Sequence, residues 1–168
     1  MRDPHKGHAA RRRGRYSEPN REYYLTIGTD GKRCGLTSRP AAEAILEECR
    51  AMDADATWKL RCGVVMPDHL HLLIVLGERL SLGKCVARLK SKTAAALGPL
   101  NWERGFFDHY VLPEKDHLSL FLYIFLNPYR EGLCAHSARW PWYYCRPEDW
   151  AWFNGLLDEE RPDPRWLL

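Results

Sequence analysis

The sequence predicts an α+β fold, a ferredoxin-like split βαβ module in which an antiparallel sheet carries helices packed on one face. Three observations predict it. Two strand-like runs, Leu60 to Met66 and His69 to Leu76, meet at Pro67-Asp68, a junction tight enough for an antiparallel hairpin. A helical stripe follows from Ser81, and an aromatic, β-branched run, Tyr23 to Thr29, precedes them both.

Taken in order, residues 1 to about 20 lack hydrophobic periodicity and read as a flexible basic arm ahead of the first strand. Ser38 can cap a helix with Pro40 in its first turn, and Ala41, Ala44, Ile45 and Glu48 continue it to about Met52. A loop from Asp53 to Thr57 leads into the hairpin. From Ser81 to about Leu97, residues Leu82, Val86, Leu89, Thr93 and Leu97 form one stripe of period 3.6, the core face of a helix that Gly98-Pro99 ends. Lys84, Arg88, Ser91 and Lys92 fall on its other side, a basic ridge that suits either a solvated face or phosphates. Phe106 to Leu112, bounded by Gly105 and Pro113, reads as a strand. Asp116 or Ser119 then caps a helix containing Leu120, Tyr123, Ile124 and Asn127, which Pro128 bends or stops. Five of the seven tryptophans lie in 133–168, which predicts a packed extension with short helices. The organisation is an arm over 1–20, one catalytic domain over 21–145 and a C-terminal extension over 146–168.

Composition narrows the function classes. A chain of 168 residues with 45% hydrophobic content builds one core. Its longest aliphatic run, Leu72 to Leu76, is far short of the roughly 20 residues a membrane span needs, so a cytoplasmic protein with no membrane partner is expected. Six scattered cysteines with no CxxC pair indicate reduced thiols rather than a disulfide framework or zinc knuckle. Although the net charge is only +3, residues 1–21 hold seven Lys/Arg against two acids, and Arg79, Lys84, Arg88, Lys90 and Lys92 cluster with Glu78 as their one acidic neighbour. Local basicity of this kind favours a polyanion through counterion release, and it is also common in solubilising tails. The sequence lacks GxSxG, GxxxxGK[ST], HExxH and the Rossmann glycine pattern.

Two local features carry chemistry. His69 and His71 stand two apart on a strand and so share a face, with Leu73 and Val75 continuing that face and Leu70 and Leu72 opposite. Such a pair can converge on a metal, or be an ordinary hydrogen-bonded histidine pair on a half-buried strand. Tyr123 and Asn127 stand at i and i+4, one turn apart on one helix face. Alone, the first reads equally as a core aromatic and the second as a helix-ending Asn-Pro.

In combination these residues resemble a family. His-Leu-His at 69–71, a tyrosine about fifty residues later in a Tyr-x-x-x-Asn-Pro frame followed by Gly132-Leu133, and the intervening WERGFFDH at 102–109 are similar to the single-tyrosine HUH transposases. The nearest type is the REP-associated tyrosine transposases, small bacterial proteins linked to palindromic repeats. The similarity runs from about Arg12 to about Tyr144.

The resemblance implies that His69 and His71 are metal ligands, that Asn127 is a third ligand, and that Tyr123 is the nucleophile. It implies a divalent cofactor, Mg²⁺ or Mn²⁺, and a single-stranded DNA partner with hairpin structure. Nicking and strand transfer would pass through a 5′-phosphotyrosine, in a bacterial cytoplasmic protein associated with the nucleoid when on DNA, and possible as a homodimer. Arg11, Arg12, Arg13 and Arg15 of the arm and Lys84, Arg88 and Lys92 of the helix would contact phosphates. A phenol of reference pKa about 10 needs activation, for which His109 and His117 are candidate bases. Phe125, Tyr129 and Glu131 depart from the commoner family pattern, and Tyr129 and Tyr110 are rival nucleophiles. A non-catalytic single-stranded nucleic-acid-binding module of the same fold, or a phosphodiesterase using water, would fit the same elements.

Overall fold

The structure, a computed structural model, describes residues 17–114 and 117–167. The arginines at 11, 12, 13 and 15 and the cap candidate Asp116 lie outside the described residues. In chain order the elements are β1 (Glu22–Gly28), α1 (Arg39–Ala54), β2 (Trp58–Val65), β3 (His69–Leu76), α2 (Leu82–Thr93), β4 (Phe107–Tyr110), α3 (His117–Arg130), β5 (Tyr143–Cys145) and α4 (Pro147–Phe153). The strands form one sheet in the order β4-β1-β3-β2-β5, and every neighbouring pair is antiparallel. The first four strands with α1 and α2 are the split βαβ module that the sequence predicts.

Strand alternation decides what lies on each face. Leu70, Leu72 and Ile74 of β3 join Leu25 and Ile27 of β1 in one core, where Ile45 and Cys49 of α1 and Val86 and Leu89 of α2 cover them. All five residues of the α2 stripe are buried. The helix starts at Ser81, whose hydroxyl accepts from the Lys84 amide (3.3 Å), and tightens into a 3₁₀ turn over Ala94–Leu97. The opposite face carries a second core: Tyr24, Cys62, Val64 and Leu73 from the sheet meet Phe121, Ile124 and Phe125 of α3 and Phe153 near the end of α4. The module's own helices thus occupy one face, and the later helices cover the other, the face of the histidines.

Two local features position that second layer. A register shift between Leu60 and Cys62 inserts Arg61 as an extra residue in β2. Its guanidinium reaches Asp149 of α4 (2.6 Å) and Glu22 of β1 (2.7 Å) and lies over the Phe121 ring of α3. The second feature is the end of α3. Pro128, expected to bend or stop the helix, sits inside it. Its missing amide costs one hydrogen bond in the last turn, and the helix closes two residues later. Leu133 N donates to Pro128 O (2.9 Å), Gly132 N donates to Tyr129 O (3.1 Å), and Gly132 adopts φ 70°, a Schellman cap that only glycine enters without strain. The Gly132-Leu133 pair is therefore the stop signal. Strand β5, which the sequence does not announce, adds the fifth position beside β2.

Candidate active site

The histidines lie at the centre of a row that crosses the whole sheet. Phe107, Thr26, His71, Val64 and Tyr143 are successive cross-strand partners from β4 to β5, all on the α3 side. His69, two residues earlier, is half-buried beside the 67–68 turn. Their two Nε2 atoms stand 3.1 Å apart.

Each imidazole is held from behind. His69 Nδ1 is 2.6 Å from Asp68 Oδ1; His71 Nδ1 is 2.6 Å from the Tyr24 hydroxyl and 3.0 Å from Thr26 Oγ1. With a proton on each Nδ1, both Nε2 lone pairs face one point, the arrangement of metal-binding histidines oriented by their other nitrogen. Sequence reasoning missed Tyr24, Thr26 and Asp68 in this supporting role. A signal existed: Tyr24 and Thr26 stand at i and i+2 on β1, so they share a face as the histidines do. Burial pushes the Tyr24 phenol well above its ordinary pKa, so it remains a neutral partner for His71.

Tyr123 of α3 comes to the same place. Its ring centroid is 5.7 Å from that of His71 and 6.1 Å from that of Tyr24, and the residue is half-buried rather than sealed in the core. The rival tyrosines are placed otherwise. Tyr129 is buried, with its hydroxyl donating to Ala138 O (3.0 Å) and accepting from Trp140 N (3.2 Å). Tyr110 packs edge-on against Tyr23, on the α1/α2 side of the sheet. Of the candidate bases, His117 Nε2 is 2.5 Å from Glu22 Oε2, and His109 is the β4 residue opposite Tyr24.

Asn127 lies one turn beyond Tyr123 and is buried. Its amide nitrogen donates to the Tyr123 carbonyl (3.4 Å), and among the described residues its side-chain oxygen accepts no hydrogen bond. Also among the described residues, no cluster of three or more His, Cys, Asp or Glu could hold a metal.

A family model described as "Transposase IS200 like" matches residues 20–106, just over half of the chain. This chain belongs to the IS200-like transposase family. The matched span of the transposase contains both histidines and stops before Tyr123. A REP-associated tyrosine transposase of Escherichia coli (strain K12) is 27% identical over 132 residues, covering 76% of this chain and 78% of that protein. A solved REP-associated tyrosine transposase, bound to a REP hairpin, superposes with a TM-score of 0.63 at 24% identity, covering 77% of this chain and 79% of that one. At that identity the likeness establishes the shared fold. The family resemblance read from the sequence is borne out.

The basic ridge of the transposase is not built as its spacing suggested. Lys84 and Lys92 are exposed, but Arg88 turns towards α1 and the loop after it, bonding Glu48 (2.8 Å), Asp55 (2.7 Å) and Thr57 (3.0 Å). Because α2 covers the face opposite the histidines, the ridge and the histidine pair lie on opposite sides of the sheet. Among the described residues no helix is long and apolar enough to cross a membrane.

Proposed function

We propose that this transposase nicks and rejoins single-stranded DNA at hairpin or palindromic repeats, with Tyr123 as nucleophile and His69, His71 and Asn127 as ligands of a divalent metal. The observation that carries the reading is the meeting of Tyr123 with His71 at 5.7 Å, beside a histidine pair whose Nε2 atoms converge. Two imidazole nitrogens and one amide oxygen would leave open positions on a divalent ion such as Mg²⁺ or Mn²⁺. Such an ion, when bound, would neutralise charge on the scissile phosphate and orient it.

The chain's own groups do the rest. The Tyr123 oxygen bonds to phosphorus as the bond to the 3′-oxygen breaks, giving a 5′-phosphotyrosine and a free 3′-hydroxyl that carries a proton equivalent to the one the phenol loses. The phosphodiester energy is kept in the protein–DNA bond, so a second strand end can be joined without a nucleotide cofactor. Asp68 can accept from His69 Nδ1, and the Tyr24 and Thr26 hydroxyls can accept from His71 Nδ1, a pairing that would leave both Nε2 atoms unprotonated for the metal. Since Tyr123 and His71 of one chain already face each other, the reading needs no tyrosine from a second subunit.

The hairpin-bound state of the structural relative supports a hairpin as the substrate class here. Incubation with hairpin oligonucleotides and Mn²⁺ is expected to give a covalent protein–DNA species that survives denaturant and is absent with Tyr123→Phe or with chelator. An adduct of undiminished yield in Tyr123→Phe overturns the assignment.

A further inference from the structure

Tyr24 makes more contacts than the support of one imidazole requires. Its ring is buried on β1, nearly parallel to the His71 ring at 5.5 Å, and edge-on to Phe107 at 6.4 Å and to Tyr123 at 6.1 Å. Its hydroxyl lies 2.6 Å from His71 Nδ1, accepts from Thr26 Oγ1 (3.4 Å) and shares a further hydrogen bond with the Tyr123 side chain. One oxygen atom of the sheet thus meets both a histidine of the convergent pair and the tyrosine of α3.

The hydrogen count gives these contacts a direction. A neutral phenol has one proton to donate and accepts through its lone pairs. With His71 Nδ1 protonated, the state that frees Nε2, the Tyr24 oxygen accepts from the imidazole, and it accepts from Thr26 as well. Its own proton is left for the Tyr123 oxygen. The chain therefore runs one way, from the His71 Nδ1–H group to the Tyr24 oxygen and from the Tyr24 hydroxyl to Tyr123. Thr26 also backs His71 (3.0 Å), but its other hydrogen bond goes to Tyr24.

Tyr123 has use for such a restraint. It is half-buried, and two rotatable bonds separate its ring from the backbone of α3, so packing alone does not fix its oxygen as it would in a sealed core. We infer that Tyr24 is a positioning residue for the nucleophile, whose hydroxyl donates to the Tyr123 oxygen and ties the place of that oxygen to the place of His71. The Tyr123 oxygen accepts through one lone pair and keeps another for phosphorus. The inference rests on the reading of Tyr123 as nucleophile and adds to it the group that aims the phenol.

Two nearly isosteric substitutions separate this role from support of the imidazole. Tyr24→Phe and Thr26→Val each take one hydroxyl from His71 Nδ1 and leave the other, but only Tyr24→Phe removes the donor to Tyr123. With the full chain and a hairpin oligonucleotide, single-turnover adduct formation is followed across a Mn²⁺ titration. Thr26→Val is expected to lose rate only through weaker Mn²⁺ binding, so that raising Mn²⁺ restores it. Tyr24→Phe is expected to stay about 10–100-fold slow at saturating Mn²⁺, the scale of a misplaced reacting group, with oligonucleotide affinity unchanged. A second readout needs neither metal nor DNA. In protein labelled with 3-fluorotyrosine, the ¹⁹F line of Tyr123, assigned by its absence in Tyr123→Phe, should move several times further in Tyr24→Phe than in Thr26→Val. Recovery of Tyr24→Phe at high Mn²⁺, or equal movement of the Tyr123 line in the two variants, overturns the positioning role and leaves the nucleophile reading standing. A parent protein that forms no adduct, or a Tyr123→Phe variant that keeps it, overturns the nucleophile reading and this inference with it.

Discussion

The two faces of the sheet are built from the same strands and have opposite chemistry. Towards α1 and α2, β3 presents Leu70, Leu72 and Ile74, all fully buried among aliphatic side chains. Towards α3 and α4 it presents His69, His71 and Leu73, in a layer of tyrosines, tryptophans and paired charges. A period of two lets one eight-residue strand hold a core with one set of side chains and a reactive site with the other. The aliphatic face packs the strand into the core under α1 and α2, and the histidines stand on its other side.

Neighbouring substitutions test this division most strongly. His69→Ala is expected to reduce adduct formation at least 100-fold while changing unfolding free energy by no more than about 1 kcal/mol, since the side chain is half-exposed. Leu70→Ala, one residue on and fully buried, is expected to cost about 2–5 kcal/mol of stability. Its adduct formation, measured well below the lowered melting temperature, should stay within a few-fold of the parent. Denaturant unfolding and adduct yield on both proteins check the pair. If His69→Ala lost as much stability as Leu70→Ala, the histidine face would be structural after all.

The charged pair beneath α3 and α4 gives a smaller effect with a pH signature. Burial would raise the Asp149 carboxyl, but the two Arg61 hydrogen bonds and the Trp152 indole outweigh it and hold the group below the usual carboxylate range. A depressed folded pKa stabilises the fold above the unfolded value, about 3.9, and that stability is lost as pH falls through the folded one. Asp149→Asn should therefore cost about 2–3 kcal/mol near neutrality, less than breaking an isolated buried pair because Glu22 still faces Arg61. It should also flatten the loss of stability below about pH 4. Urea midpoints across pH 3–7 measure both. Unchanged curves would mean that the pair does not hold the reactive layer to the sheet.

Much of the first face was legible from local pattern, and less of the second. The bounds of β3 and the α2 stripe follow from periodicity, because each buries one continuous side. That His69 and His71 share a face followed from their spacing. Strand β5 was not legible: three residues, Tyr143 to Cys145, become a strand only by pairing with β2, a contact about eighty residues away in sequence. The α3 terminus misled because Pro128 is the stronger local signal, whereas the cap that ends the helix depends on Gly132 four residues later. Arg88 misled for a similar reason, since the helix period says which side a residue occupies and not that α1 offers it a carboxylate.

That last point carries over to the weakest expected effect, at the basic ridge. Lys84 and Lys92 are exposed on α2, on the far side of the sheet from the histidines, so the face comparison assigns them at most an outer path of a folded strand. Each phosphate contact removed lowers the slope of log affinity against log salt by about 0.7–0.9. The double variant Lys84→Gln with Lys92→Gln is accordingly expected to reduce that slope by less than about 2, with no change in adduct chemistry at low salt. Arg88→Gln sharpens the contrast: its guanidinium is committed to Glu48 and Asp55, so its loss should appear in unfolding and leave the salt slope as it was. A slope change in Arg88→Gln equal to that of a ridge lysine would place the arginine on DNA and reverse the assignment of that helix face.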